Sequence, residues 1–511
     1  MTHYPADTVI DLLARGANGD RAIGAPGRPW LTHAGLRDQV KRTIAELNRM
    51  GIGRNDRIAI VLPNGPEMAA AFVAIAAGAT TAPLNPAYKT EEFEFYLSDL
   101  NARALLILQG MESPSRAVAA ARGVPILELI PKPDGPAGSF SLQPPPSFSG
   151  TPTHGGPAAA QDVALVLHTS GTTSRPKIVP LRHINITASA YHIGETLALT
   201  PDDVCLNIMP LFHIHGLIAA TLASLAAGAA VCCTPGFNAF RFFSWFGEAR
   251  PTWYTAVPTM HQAILNLAKR NEAAIKAGRL RFIRSSSSSL PPQVMEVLEQ
   301  TFGVPVIESY GMTEAAHQMA SNPLPPGKRY PGSVGIAAGP EIAIMDLDGN
   351  MLPAGELGEV VIRGRDVTDG YENNPEANAA AFTNGWFRTG DQGFLDDDGY
   401  LRLTGRLKEL INRGGEKISP IEVDVVLMDH PAVAQCLTFA IPHESLGEEV
   451  AAAIVLCEGA TCTEYELRDF VGARLAAFKV PRKIVFLEEI PKGATGKLQR
   501  IGLAGKLGIT A

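Results

Sequence analysis

Residues 57–83 read RIAIVLPNGPEMAAAFVAIAAGATTAP, and three segments can be told apart in them. Arg57 to Leu62 is a short run of mostly branched apolar residues, long enough for a buried strand and too short for a helix. Pro66 to Gly78 is alanine-rich, with proline at its first turn and glycine at its close, the asymmetry expected of a helix. From Thr81 a second strand begins. Strand, helix and strand in succession imply parallel pairing, because only a crossover of a dozen or so residues returns the chain in the same direction. Helices then cover the sheet. The same alternation continues through the first 240 residues, so the expected fold class is α/β, with parallel-rich sheets covered by helices.

Three segments depart from that rhythm. Gly216 to Gly236 (GLIAATLASLAAGAAVCCTPG) carries no charge over about 20 residues, the length that spans a bilayer. Small residues dominate it, Gly228 interrupts it and the β-favouring AAVCC follows, so a buried helix running into a strand is expected, and no membrane association. From Pro131 to Pro157 the chain is too rich in Pro, Gly and Ser for a helix or strand interior and predicts a surface excursion within one large domain. After Tyr400, LRLTGRLKELINRGGEKISPIEVDVVL passes from strand-like to charged and glycine-bearing, then to a helical pattern opened by Pro420. The remaining residues, about 100, suffice for a small α+β domain. The division is expected at residues 1–406 and 407–511, with a hinge near Lys408.

The 511 residues include 44 Lys and Arg against 51 Asp and Glu, a net charge of -7. That balance argues against nucleic acid as a main partner, though a local basic groove can still hold an anion. The six cysteines lack paired C-x-x-C spacing, which points to a reducing, cytoplasmic setting. The opening MTHYPADTVIDLL has no basic segment leading into an apolar one, and the closing GITA is no peroxisomal address. A monomer and a homodimer are both compatible with the sequence.

Thr169 to Lys177 reads TSGTTSRPK after the strand-like Val163 to Leu167. Hydroxyls and a glycine permit a loop whose N–H and O–H groups surround phosphate oxygens, and Lys177 adds a cation. It is not the Walker loop, since Ser174, Arg175 and Pro176 precede the lysine and Ile178 follows it. Alone, such a stretch is more often an ordinary turn. It is not alone. Tyr310 to Glu314 (YGMTE) follows the apolar VPVI, where Tyr310 can stack on a base, Thr313 meet a phosphate and Glu314 offer Mg²⁺ a hard oxygen. Thr389 to Asp391 (TGD) places a carboxylate where it can accept two ribose hydroxyls. Gly405-Arg406 and Pro491 to Lys497 (PKGATGK) add two more cations.

In this order these motifs resemble the adenylate-forming superfamily of acyl-CoA synthetases, which includes firefly luciferase and peptide-synthetase adenylation domains. The resemblance spans nearly the whole chain, through DRIAIVLPNGPE (56–67), PLNPAY (83–88), PLFHIHG (210–216), GELGEVVIRG (355–364), GYENNPEA (370–377) and GRLKELINRGGEKISP (405–420). It implies a large N-terminal domain, a small mobile C-terminal one, and two half-reactions in one site using ATP, Mg²⁺ and coenzyme A. A carboxylate and ATP would form an acyl-adenylate, and the CoA thiol would then displace AMP. By the same resemblance Thr169, Ser170, Gly171, Thr172, Thr173 and Lys177 hold phosphates, Tyr310 stacks on adenine, and Ser288, Glu308 and Ser309 lie at the nucleotide. Thr313 meets the α-phosphate, Glu314 binds Mg²⁺, and Asp391 with Arg406 takes the ribose. Lys497 bridges carboxylate and α-phosphate. Rotation about Lys408 would then bring Gly414 and Gly415 to the site in place of Lys497, leaving room for the pantetheine arm.

Within the superfamily, HTSGTTSRPK (168–177), TWYTAVPTMHQ (252–262), LRFIRSSSSSL (280–290) and TEAAHQMASNPLP (313–325) are most similar to the oxalate:CoA ligases. Positions that tend to be aromatic or small and apolar in ligases of aromatic acids are here His215, Ser287 and His317, with Arg284 just before the serines and Ser286 among them. A second carboxylate needs such a cation and donors if it is to be buried, so a short dianion, oxalate, is the expected substrate. His213 matches a histidine near the reacting carboxylate. Malonate, glycolate, 4-coumarate, or loading of a separate carrier protein remain alternatives. Ser174 and Ile178 depart from the usual glycines of the phosphate loop; Ile178 is expected to stiffen the loop's exit or slow nucleotide entry.

Overall fold

A computed structural model describes residues 4–146, 148–169, 176–492 and 498–509. The stretch 57–83 folds as its pattern predicts. Arg57–Val61 and Thr80–Pro83 are parallel neighbours, joined by the helix Pro66–Ala76 with proline in its first turn. All of that helix except Glu67 is buried. A helix apolar on every side must be covered on every side, and this one touches strands of two different sheets.

The first sheet has seven strands in the order Phe140–Gln143, Ile126–Pro131, Ala104–Leu108, Arg57–Val61, Thr80–Pro83, Val163–Thr169 and Lys177–Arg182, parallel in the middle and antiparallel at both edges. The second has nine. Its parallel centre runs Val306–Met312, Phe282–Ser286, Trp253–Ala256, Val204–Asn207, Ala230–Cys233 and Arg21–Gly24, and His317–Ser321 returns antiparallel to Val306–Met312. Between the sheets lies one continuous apolar core. A third, wholly antiparallel sheet is built on Glu341–Met345, Gly358–Arg363, Trp386–Leu395 and Leu401–Arg406. After Arg406 the chain enters a fourth sheet, opened by Ile411–Arg413 and centred on Val433–His443 and Gly447–Leu456, with its own cores.

The uncharged run is a buried helix leading into a strand. His215–Leu222 is a π-helix, continued by α-helical Ala223–Ala226, the turn at Gly228 and the strand Ala230–Cys233. No helix among the described residues is long and apolar enough to cross a membrane. The proline-rich segment needs correcting, because Phe140–Gln143 within it forms an antiparallel edge strand on Ile126–Pro131. An edge strand tolerates proline and glycine beside it, and Phe140 is fully buried there. All six cysteines are free.

Candidate functional site

Three of the expected nucleotide residues, Tyr310, Asp391 and Arg406, meet where the second and third sheets approach each other. Tyr310 stands near the end of Val306–Met312, and Asp391 and Arg406 are direct partners across two strands of the third sheet. The Tyr310 hydroxyl donates to Asp391 Oδ2, and Arg406 Nε donates to Asp391 Oδ1 at 3.0 Å. Burial first, and the neighbouring Asp391 carboxylate second, push the Tyr310 phenol upward, so it stays a donor. Gly311 is required by close approach: a Cβ there would lie 1.7 Å from His317 O, at the bulge where the antiparallel pairing shifts register.

Glu314 sits in the short turn Thr313–Ala315, 5% exposed, and accepts the Tyr371 hydroxyl at 2.8 Å. Burial raises its carboxyl above the ordinary range, an effect that the Tyr371 hydrogen bond and Arg406 oppose. Lys177 Nζ lies 4.4 Å from the centre of the Tyr371 ring. Tyr371 therefore links the metal candidate to the phosphate-loop lysine, a role not read from the sequence although its motif, GYENNPEA, was conspicuous. Thr169 and Lys177 face one another as the last and first residues of an antiparallel pair. Ser170, Gly171, Thr172 and Thr173 lie outside the described residues, as does Lys497. Ile178 points into an apolar cluster with Val166 and Phe93, and this packing accounts for a β-branched residue there. Among the described residues no group of three or more His, Cys, Asp and Glu side chains could cage a metal ion. A single carboxylate such as Glu314 fits Mg²⁺ held chiefly by phosphates and water.

The residues expected to bind the acyl group come from the π-helix, the strand Phe282–Ser286 with its following residue, and the strand His317–Ser321. π-helical turns often mark functional positions, and here the first residue is His215. Its Nε2 lies 2.6 Å from Thr255 Oγ1 and its Nδ1 3.0 Å from Ser287 Oγ. The rings of His215 and His317 are 5.0 Å apart. Ser287 and His317 both have positive φ, +75° and +114°, a backbone strain that recurs at functional sites. His213 is half-buried in the turn before the π-helix. Ser286 donates its hydroxyl to Ser309 O at 2.9 Å, Ser309 Oγ pairs with Ser321 Oγ, and Ser288 is exposed on the following loop.

Two buried groups here are out of balance. Glu308 accepts the Leu290 N–H at 2.9 Å with Oε1, its Oε2 has no partner among the described residues, and burial pushes its carboxyl up to about 8. Arg284 is 0% exposed; one hydrogen bond joins Nη2 to Gln318 Oε1 at 3.2 Å, while Nε and Nη1 have no partner among the described residues. No carboxylate among the described residues pairs with it, and burial lowers it to about 9. In the small domain, Gly414 and Gly415 form the turn between Ile411–Arg413 and Glu416–Ile418, and Lys408 is exposed in the turn after Arg406.

The AMP-binding enzyme family profile matches residues 13–372 and that of the AMP-binding enzyme C-terminal domain matches residues 422–497. The chain is 46% identical to the oxalate–CoA ligase of Arabidopsis thaliana over 97% of its own length and 98% of that protein. It is 44% identical to the oxalate–CoA ligase of Saccharomyces cerevisiae, over 88% and 86%. Among solved structures, ATP-bound MatB from Rhodopseudomonas palustris superposes with a TM-score of 0.87 at 28% identity, over 98% of both chains.

Proposed function

The chain belongs to the AMP-binding enzyme family, and from that premise we propose that it is an ATP-dependent acid:CoA ligase whose substrate is oxalate. One carboxylate oxygen of oxalate attacks the α-phosphorus of ATP, the bond to the β-phosphate oxygen breaks, and pyrophosphate leaves. The CoA sulfur then attacks the acyl carbon, and AMP departs with the bonding electron pair, giving oxalyl-CoA. Both steps gather negative charge, so prepositioned cations and donors are the main catalytic resource. Glu314 would hold Mg²⁺, which would supply positive charge to the phosphates.

The residues then divide as follows. Asp391, fixed by Arg406, accepts the ribose hydroxyls through its remaining lone pairs, and Tyr310 packs against adenine. Thr169 to Thr173 and Lys177 hold the phosphates, and Thr313 meets the α-phosphate. His213 and Lys497 act on the reacting carboxylate. In the second step, residues 407–511 turn about Lys408 to bring Gly414 and Gly415 to the site.

The observation that carries the oxalate reading is Arg284, fully buried with no carboxylate partner and two nitrogens unengaged among the described residues. A buried charge left unpaired costs several kcal/mol by general experience, and a dianion's second carboxylate supplies the missing counterion beside His215, Ser287 and His317. Thioester formation with oxalate, malonate, glycolate and 4-coumarate tests this directly. Oxalate is expected to be turned over fastest, and absence of oxalyl-CoA would sink the assignment. Lys497→Ala is expected to abolish adenylation while sparing thioester formation from supplied oxalyl-adenylate; equal loss of both would contradict its role.

A further inference from the structure

Among the described residues, one side chain is hydrogen-bonded to the Arg284 guanidinium. The strands Trp253–Ala256 and Phe282–Ser286 place Thr255 and Arg284 directly opposite one another in parallel register, so their side chains leave the same face of the sheet. Thr255 Oγ1 on that face meets His215. The guanidinium is reached from the next strand but one, where Gln318 follows His317. The orientation of the Gln318 amide is determined by its other contacts: Nε2 donates to Ala338 O at 2.8 Å and to Thr196 Oγ1 at 3.1 Å. A carbonyl can only accept, so the amide nitrogen must face Ala338 and the amide oxygen must face Arg284.

We propose that Gln318 is a positioning residue that sets the charge class of the substrate: it tethers Arg284 through a neutral acceptor, so the cation stays in place without a counterion until a second carboxylate arrives. A glutamate at 318, of nearly the same shape, would neutralise the guanidinium from within, and the pocket would then suit an acid with a neutral tail. Specificity of this kind comes from leaving a buried group unpaired for every ligand but one. The inference rests on the oxalate reading above.

The test compares the native enzyme with Gln318→Glu and Gln318→Met, using oxalate and glycolate, which has a neutral hydroxymethyl group in place of the second carboxylate. ATP–pyrophosphate exchange gives kcat and KM for each, and thermal unfolding checks the fold. Gln318→Glu is expected to reduce the oxalate-to-glycolate ratio of kcat/KM by about 100-fold, the scale of a buried charge pair made or lost. Gln318→Met, which frees Arg284 without neutralising it, is expected to raise KM for oxalate about tenfold, the scale of one hydrogen bond to a charged group, with kcat changed far less. Parallel losses on both acids, or an unchanged ratio with Gln318→Glu, would overturn the role of Gln318. Should Gln318→Glu fail to fold, Gln318→Met decides, and an unchanged oxalate KM refutes the proposal. If the native enzyme forms no oxalyl-adenylate, it is the oxalate reading that fails; if it does and the variants behave like it, only the role of Gln318 is lost.

Discussion

The two clusters proposed for the nucleotide and for the acyl group are both buried and polar, yet they are balanced differently. Around Asp391 both carboxylate oxygens are engaged, one by Tyr310 and one by Arg406, and Glu314 is held by Tyr371. Around Arg284 there is one neutral acceptor and no counterion among the described residues. A site whose charges are paired before the ligand arrives is preorganised and spends little on rearrangement. A site left with an excess charge selects the ligand that cancels it.

The largest effect should come from removing that excess. Arg284→Met is expected to cut kcat/KM for oxalate by roughly a thousandfold, because two charge-assisted hydrogen bonds are lost. The same variant is expected to unfold at a higher temperature, since an apolar side chain of similar volume replaces an unpaired buried cation. Loss of activity with loss of stability would mean that Arg284 has a structural partner after all.

On the balanced side, Asp391→Ala strands both Tyr310 and Arg406. KM for ATP is expected to rise about 100-fold in the pyrophosphate-exchange assay, with the preference for oxalate over glycolate unchanged. A shift in that preference would show that the two sides are not independent. Tyr371→Phe removes only the hydroxyl on Glu314 and keeps the ring under Lys177, so a loss of about three- to tenfold in the adenylation rate is expected, the worth of one hydrogen bond.

The smallest effect concerns Glu308, whose carboxyl is raised to about 8 by burial, against an ordinary value near 4.5 in the unfolded chain. Between those two values the folded protein holds a proton that the unfolded chain releases, so this group's stabilising contribution is complete below pH 4.5 and declines as pH rises through 8. Glu308→Gln, which mimics the protonated acid, is expected to melt with a flatter pH dependence between pH 5 and 8.5 than the native chain. Parallel melting curves would show Glu308 ionised throughout.

Much of this was legible in the amino-acid order. The motifs are compact, and a strand's closing residues carry their chemistry with them, so YGMTE and TGD could be picked out as candidates before any contact was known, while most of TSGTTSRPK lies outside the described residues. Ile178 shows where that stops: its neighbours in sequence suggested a stiffer loop exit or slower nucleotide entry, and its packing with Val166 and Phe93 in an apolar cluster could not be read from them. The edge strand Phe140–Gln143 was missed for the same reason, since its composition suggested a loop and its pairing with Ile126–Pro131 supplied the strand.

By itself the sequence determined the α/β alternation and the residue types available for nucleotide chemistry, because these depend on periodicity and on signals a few residues long. Only the tertiary structure decided the balance of charge, because the partners are distant in the chain: Tyr310 and Asp391 are 81 positions apart, Glu314 and Tyr371 57, Arg284 and Gln318 34. Whether a buried arginine has a carboxylate beside it is a property of neighbours in space, and desolvation is what makes that property matter in the proposed choice of substrate.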